Sequence, residues 1–108
     1  MPNKKPLISV VMSVYNAEAY VNRAIESILS QTLTNFELII INDASSDKTP
    51  SLVRSYIRKD KRIRLITNPR NLKIAHSLNR GVSLARTNLI ARMDSDDFAL
   101  PKRLETQF

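Results

Sequence analysis

Leu89-Ile90-Ala91-Arg92-Met93-Asp94-Ser95-Asp96-Asp97 is a short apolar run that breaks off in three carboxylates. Like charges this close repel, so the cluster costs free energy unless a cation sits among them. Hard oxygen donors at the end of a strand suit Mg2+ or Mn2+, which take a few protein carboxylates and fill their remaining positions with phosphate oxygens. The functional reading is a metal site that holds a nucleotide diphosphate. The plain reading is a solvated acidic turn. The segments upstream decide between them.

Working outward, Asn88–Met93 reads as a fourth strand that delivers Asp94–Asp97. Before it, a helix runs from about Leu72, with Ala75, Leu78, Val82 and Ala85 on one face. Gly81 lies within that helix, at a cost of about 1 kcal/mol relative to Ala. Ile63-Arg64-Leu65-Ile66-Thr67 is a third strand, and Asn68-Pro69-Arg70-Asn71 is a loop, because Pro69 disfavours helix at Asn68. Leu52, Val53, Tyr56 and Ile57 mark a helix with Pro50 in its first turn, capped by Ser46 or Asp47 and closed at Lys59-Asp60-Lys61. Phe36–Ile41 is a buried strand interrupted only by Glu37. Tyr20, Val21, Ala24, Ile25, Ile28 and Leu29 are spaced as the apolar face of a helix that starts near Ala17, with Asn16 as its cap and Glu18 in its first turn. Leu7–Val14 is the first strand, apolar on both faces as in a parallel sheet. Pro101 opens a last helical turn over 102–108.

The order is β-α-β-α-β-α-β. Crossovers of this length join parallel strands with right-handed turns, which gives an open, mainly parallel α/β sheet with helices on both faces. Such sheets bind ligands beyond the carboxyl ends of their strands. Three polar clusters fall there: Ser13–Asn16, Asn42–Asp47 and Asp94–Asp97. They are far apart in sequence and share one edge of the sheet.

Composition narrows the classes. The 108 residues form one compact domain or a piece of one, with 43% hydrophobic residues for a core and no apolar run that could span a bilayer. Residues 1–6 read as a polar, disordered lead, without the pattern of a signal peptide. There is no cysteine, hence no disulfide framework and no thiolate chemistry. Cytoplasm is the default location, with the cytoplasmic face of a membrane open to a longer protein. The formal charge is +7, from 17 Lys and Arg against 10 Asp and Glu. That surplus suits phosphates, but aromatic and basic residues do not interleave as single-strand binding requires, so no nucleic-acid partner is expected. Gly81 is the only glycine. A P-loop and a dinucleotide fingerprint both need more, so a nucleotide is bound by neither route.

Ser9-Val10-Val11-Met12-Ser13-Val14-Tyr15-Asn16, Gln31-Thr32, Phe36-Glu37-Leu38-Ile39-Ile40-Ile41-Asn42-Asp43 and Asp94-Ser95-Asp96-Asp97 together resemble the GT-A glycosyltransferases of family 2. The resemblance covers nearly the whole chain from Leu7. It implies a Rossmann-like GT-A fold and a nucleotide-binding set of Ser13, Val14, Tyr15, Asp43, Lys73, Asp94 and Ser95. Ser13, Val14 and Tyr15 would wall the base pocket. Asp43 would accept the ring N–H of a base, typically uracil, which a carboxylate can do and a donor cannot; a turn residue or helix cap is the competing role. In Asp94-Ser95-Asp96, similar to the family's Asp-X-Asp motif, Asp96 would bind the metal directly. Asp94 would lie nearer the ribose or reach the metal through water, and Asp97 would support the site. The cofactor is Mn2+ or Mg2+, bridging the diphosphate oxygens.

The sequence also departs from the family pattern. Lys73 stands where glycine is common; it would reach a phosphate or be a solvated first-turn lysine. His76 receives no role. Family domains are about twice this length. The other half usually supplies the acceptor pocket and the general base, so the chain reads as a truncated donor half with no catalytic residue of its own and little activity alone. The implied reaction is inverting transfer of a sugar from a nucleotide-diphosphate donor, a UDP-sugar by preference, to the hydroxyl of a glycan or lipid-linked acceptor, as in polysaccharide biosynthesis. An exposed sheet edge would favour dimers. The alternatives are a basic, non-catalytic α/β binding module and an Mg-dependent phosphoryl-transfer domain. The first leaves the strand-end carboxylates unexplained. The second wants acidic residues after the first strand, where Ser13-Val14-Tyr15-Asn16 has none.

Overall fold

The computed structural model describes residues 6–31, 35–87 and 89–94, and only the backbone at 74, 75, 93 and 94. The polar lead up to Lys5, the residues Ser95, Asp96 and Asp97, and the expected last helical turn lie outside the described residues.

The elements are β1 (Ile8–Val14), α1 (Val21–Leu29), β2 (Phe36–Asn42), α2 (Thr49–Lys59), β3 (Ile63–Thr67), α3 (Lys73–Leu84) and β4 (Ile90–Asp94). All the strand pairs are parallel, in the order β3-β2-β1-β4. β1 and β2 are buried along their full length, which is why they read as unbroken β-branched runs rather than alternating ones.

The order dictates where the helices go. β1, β2 and β3 step in one direction, so right-handed crossovers put α1 and α2 on the same face. There Val10, Met12 and Val14 of β1 and Leu38 and Ile40 of β2 meet Val21, Ala24, Ile25 and Ile28 of α1 and Val53 of α2 in one core. The step from β3 to β4 runs back across the sheet, and α3 therefore covers the opposite face. Among the described residues no helix is long and apolar enough to cross a membrane.

Four local expectations change. α1 begins at Val21 rather than near Ala17, since Tyr20 at φ −125° is its N-cap, and the N–H groups of Ala17 and Glu18 ahead of it are taken by Thr49 Oγ1 and Asp47 Oδ2 in the neighbouring loop. Glu18 thus lies in a turn ahead of the helix. Asn16 does not cap α1: it adopts a left-handed φ of 48°, and its Oδ1 accepts the N–H of Ser46 at 2.8 Å. α2 has Pro50 in its first turn as expected, but its N-cap is Lys48, without a side-chain cap, rather than Ser46 or Asp47; Asp47 Oδ1 accepts both the N–H and the hydroxyl of Thr49 from just ahead of it.

The largest change is on α3. Among its described side chains Ser77 is buried, as is Gly81, while Leu78, Val82 and the following Ala85 are only part-buried. A Cβ at position 81 would lie 2.3 Å from Val11 Cγ1 and 3.4 Å from Ile41 Cγ1. The only glycine is therefore not a tolerated defect. It lets the backbone of α3 sit directly on β1 and β2.

Candidate functional site

The register aligns the carboxyl ends of the strands. Thr67 pairs with Asn42, Asn42 with Val14, and Ser13 with Asp94. The strand order reverses its direction between β1 and β4, the place where the crossovers of such a sheet part to opposite faces and ligands bind. Ser13 and Asp94 are partners in the ladder there. Val14 is fully buried in the core, so what it offers this edge is backbone; its carbonyl accepts the Asp43 N–H at 2.8 Å. Tyr15 follows immediately and is 51% exposed.

Two loops frame the edge and are pinned together. Asn16 N–H donates to Ser45 Oγ at 3.0 Å, and the bonds of Asn16 Oδ1, Thr49 Oγ1 and Asp47 Oδ2 described above cross the same gap. Asn42 Oδ1 accepts the Ser45 N–H at 3.0 Å and folds the second loop back on itself. Ala44 takes a left-handed φ of 61° there. The clamp fixes the backbone that presents Tyr15.

Asp43 is the buried charge of the site, 2% exposed. Its Oδ1 accepts Asn68 Nδ2 at 3.0 Å and the Leu72 N–H at 2.6 Å, and its Oδ2 accepts the Lys73 N–H at 2.9 Å. Burial disfavours its ionisation, but the hydrogen bonds from Leu72, Asn68 and Lys73 outweigh that and hold its pKa below the ordinary value. Among the described residues no cation bonds to it. Its donors are a neutral amide, the Ser77 hydroxyl and the first N–H groups of α3, where the helix dipole favours an anion. Asp43 thus does the capping work that a turn reading of the sequence anticipates.

Lys73 has a left-handed φ of 72°. This backbone is one that glycine adopts without strain, so the lysine noted in the sequence sits there at a conformational cost. The Lys73 side chain is exposed. Its N–H is shared between Asp43 and Asn71 Oδ1, the latter at 3.0 Å. His76 is exposed on α3.

Sequence reasoning missed Asn68, Ser77 and Arg80. Asn68 and Ser77 are buried behind Asp43, and Asn68 bonds to Asp43, Ser77 and Arg80. One readable signal was the pair of small residues Ser77 and Gly81, four apart and hence on one side of a helix. Nothing local singled out Asn68, which reads as an ordinary residue before proline.

An all-parallel sheet whose strand order reverses beside β1 is the open α/β architecture that takes ligands beyond the carboxyl ends of its strands. Residues 9–108 match Glycosyl transferase family 2, and the chain belongs to that family. An uncharacterized glycosyltransferase of Methanocaldococcus jannaschii is 49% identical over 106 residues, covering 96% of this chain and 37% of the relative. TarS of S. aureus, solved in complex with UDP-GlcNAc, superimposes with a TM-score of 0.86 at 25% identity, over 93% of this chain and 29% of that one. A mannosyltransferase from Pyrobaculum calidifontis, solved with GDP-Man and Mn2+, shares the fold with a TM-score of 0.83 at 24% identity, over 98% of this chain and 32% of that one. The chain thus spans roughly a third of the length of such proteins.

Proposed function

We propose that this chain is the donor-binding part of a glycosyltransferase that moves a sugar from a nucleotide diphosphate, by preference a UDP-sugar, to an acceptor hydroxyl. The observation that carries the reading is the Ser13–Asp94 pairing at the switch point, with buried Asp43 one strand away. The likeness to TarS, solved in complex with UDP-GlcNAc, supports a nucleotide-sugar donor.

The roles follow from placement. Tyr15 is an exposed aromatic face that can cover a flat base. Asp43 Oδ1 accepts Asn68 and Leu72 and Oδ2 accepts Lys73, with the Ser77 hydroxyl also bonded to the carboxylate; Oδ2 is assigned to a uracil N–H. Ser13 and Ser95 add polar contacts to the nucleoside side. Lys73 supplies a cation for the diphosphate. The donor set fits a divalent cation: Asp94 stands at the switch point, and Asp96 follows within two positions, both hard oxygen ligands suited to Mn2+ or Mg2+. When bound, such an ion neutralises charge on the departing diphosphate. Transfer would be an inverting displacement, with the general base and acceptor pocket supplied by parts of the enzyme outside this donor half.

Calorimetric titration of UDP with Mn2+ and with EDTA tests the reading, on the native chain and on Asp96→Ala. Binding that needs the metal and is lost with Asp96 is the expected result. Undiminished binding in EDTA, or in Asp96→Ala, would remove the metal from the site. Absence of UDP binding by the folded chain in Mn2+ would overturn the donor-site assignment.

A further inference from the structure

Asn68 is 1% exposed, and its main chain is held by the N–H that donates to Asn42 O at 2.8 Å. The terminal torsion of its side chain is what remains to be fixed. A primary amide has a donor end and an acceptor end, so its orientation matters to whatever lies on each side. Nδ2 donates to Asp43 Oδ1 at 3.0 Å and to Ser77 Oγ at 2.9 Å. Oδ1 accepts Arg80 Nη1, from a guanidinium on the exposed side of α3.

The partners differ in what they can specify. The Ser77 hydroxyl accepts from Asn68 Nδ2 and bonds to the Asp43 carboxylate, which supports this orientation. An ionised carboxylate only accepts, and a guanidinium only donates. Arg80 and Asp43 therefore select the same orientation from opposite ends. Reversing the amide would set a carbonyl against the carboxylate and an NH2 against the guanidinium, two repulsive contacts at once.

We infer that Arg80 is a positioning residue for nucleoside recognition: through the Asn68 amide it holds the Asp43 carboxylate with Oδ1 occupied and Oδ2 left for the base. This rests on the proposed role of Asp43 toward the base. Arg80 touches neither Asp43 nor the base in this scheme. Its removal takes away one of the two charged partners that fix the amide, so Asn68 is held from the Asp43 side alone and the carboxylate loses a firmly aimed donor.

The test compares native chain, Arg80→Ala, Arg80→Lys and Asp43→Asn. Calorimetry in Mn2+ gives the affinity for UDP and for CDP, whose ring nitrogen carries no hydrogen to donate. The quantity read is the preference for UDP over CDP. A second readout is the 15N-resolved NMR signal of the Asn68 side-chain amide. Arg80→Ala should lower the preference about fivefold, the loss of one hydrogen bond, and shift the Asn68 signal. Arg80→Lys should restore most of both. A purely structural Arg80 would lower the melting temperature and leave the preference at the native value, which overturns the inference. An unchanged Asn68 signal in Arg80→Ala overturns it too. If the native chain binds UDP without preference, and Asp43→Asn binds alike, the base-reading role of Asp43 falls first and the inference with it.

Discussion

β2 carries two buried carboxylates, one near each end, and they are satisfied in opposite ways. Glu37 lies near the amino end. Its oxygens accept the Ser9 hydroxyl and the Arg86 N–H, each at 2.6 Å, Arg86 Nε at 3.1 Å and Arg64 Nη1 at 3.3 Å. Arg64 also donates to Leu84 O at 3.1 Å. One anion thus ties β1, β2, β3 and the end of α3 together, with two cations to neutralise it. Asp43, just past the other end of β2, is held by neutral donors. Both stay ionised below their ordinary pKa values, since in each case the hydrogen bonds outweigh the burial that opposes them. The difference teaches that a buried carboxylate is not by itself the mark of a site. Where cations cancel the charge, the group is a joint. Where neutral groups hold it, the charge is still available to a ligand.

Glu37→Ala should cause the largest loss, about 3 kcal/mol of stability in urea denaturation, because it strips partners from a buried hydroxyl and N–H as well as the arginines. UDP affinity of the folded fraction should not change; a change would erase the distinction between the two ends. Gly81→Ala comes next, on the helix that connects them. Its Cβ would meet Val11 Cγ1 at 2.3 Å, and we expect about 2 kcal/mol of destabilisation against a helix-propensity gain near 1 kcal/mol. A more stable variant would refute the close crossing.

Asp43→Asn should cost less stability, about 1 to 2 kcal/mol, and weaken UDP about tenfold. The reverse ranking of Glu37 and Asp43 on nucleotide binding would invert the comparison. Acid titration sharpens it. Both folded pKa values are lowered, from ordinary values of 4.5 for Glu37 and 3.8 for Asp43. The stabilisation from each is fully present above those values and is lost as pH falls through the folded ones. Glu37→Ala should flatten the loss of stability below about pH 4.5 and Asp43→Asn that below about pH 3.8, as followed by denaturant midpoint against pH. The smallest effect belongs to Lys73→Gly, which should gain about 1 kcal/mol by relieving the left-handed backbone. If the Lys73 ammonium meets the diphosphate, that gain comes with weaker UDP binding.

The parts legible in the sequence are those whose cause is local. β1, β2 and β3 announce themselves as β-branched apolar runs, Pro50 marks the start of α2, and the carboxylates from Asp94 onward mark the end of β4. What escaped is set by partners elsewhere in the chain. Asn16 looks like a cap until Ser45 and Ser46, 29 and 30 positions away, are placed against it. Glu37 looks like an interruption until Arg64 and Arg86 arrive. Gly81 looks like a weakness of α3 until Val11 lies beneath it. Of the candidate site, Tyr15, Asp43 and Asp94 could be found because they follow strands. Asn68 and Arg80 could not, because their role exists only through the bond between them.

The Ser13–Asp94 pairing has a kinetic consequence. β1 can find β2 by closing a loop of about thirty residues, whereas β4 reaches β1 only after roughly eighty have been gathered. During synthesis the first three strands emerge before the fourth and can assemble with one side of β1 still unpaired. The switch point is then the last part of the sheet to close. Until it does, each unfinished molecule offers an open strand edge to the β4 of another, so haste in crowded conditions would yield exchanged strands rather than finished sites.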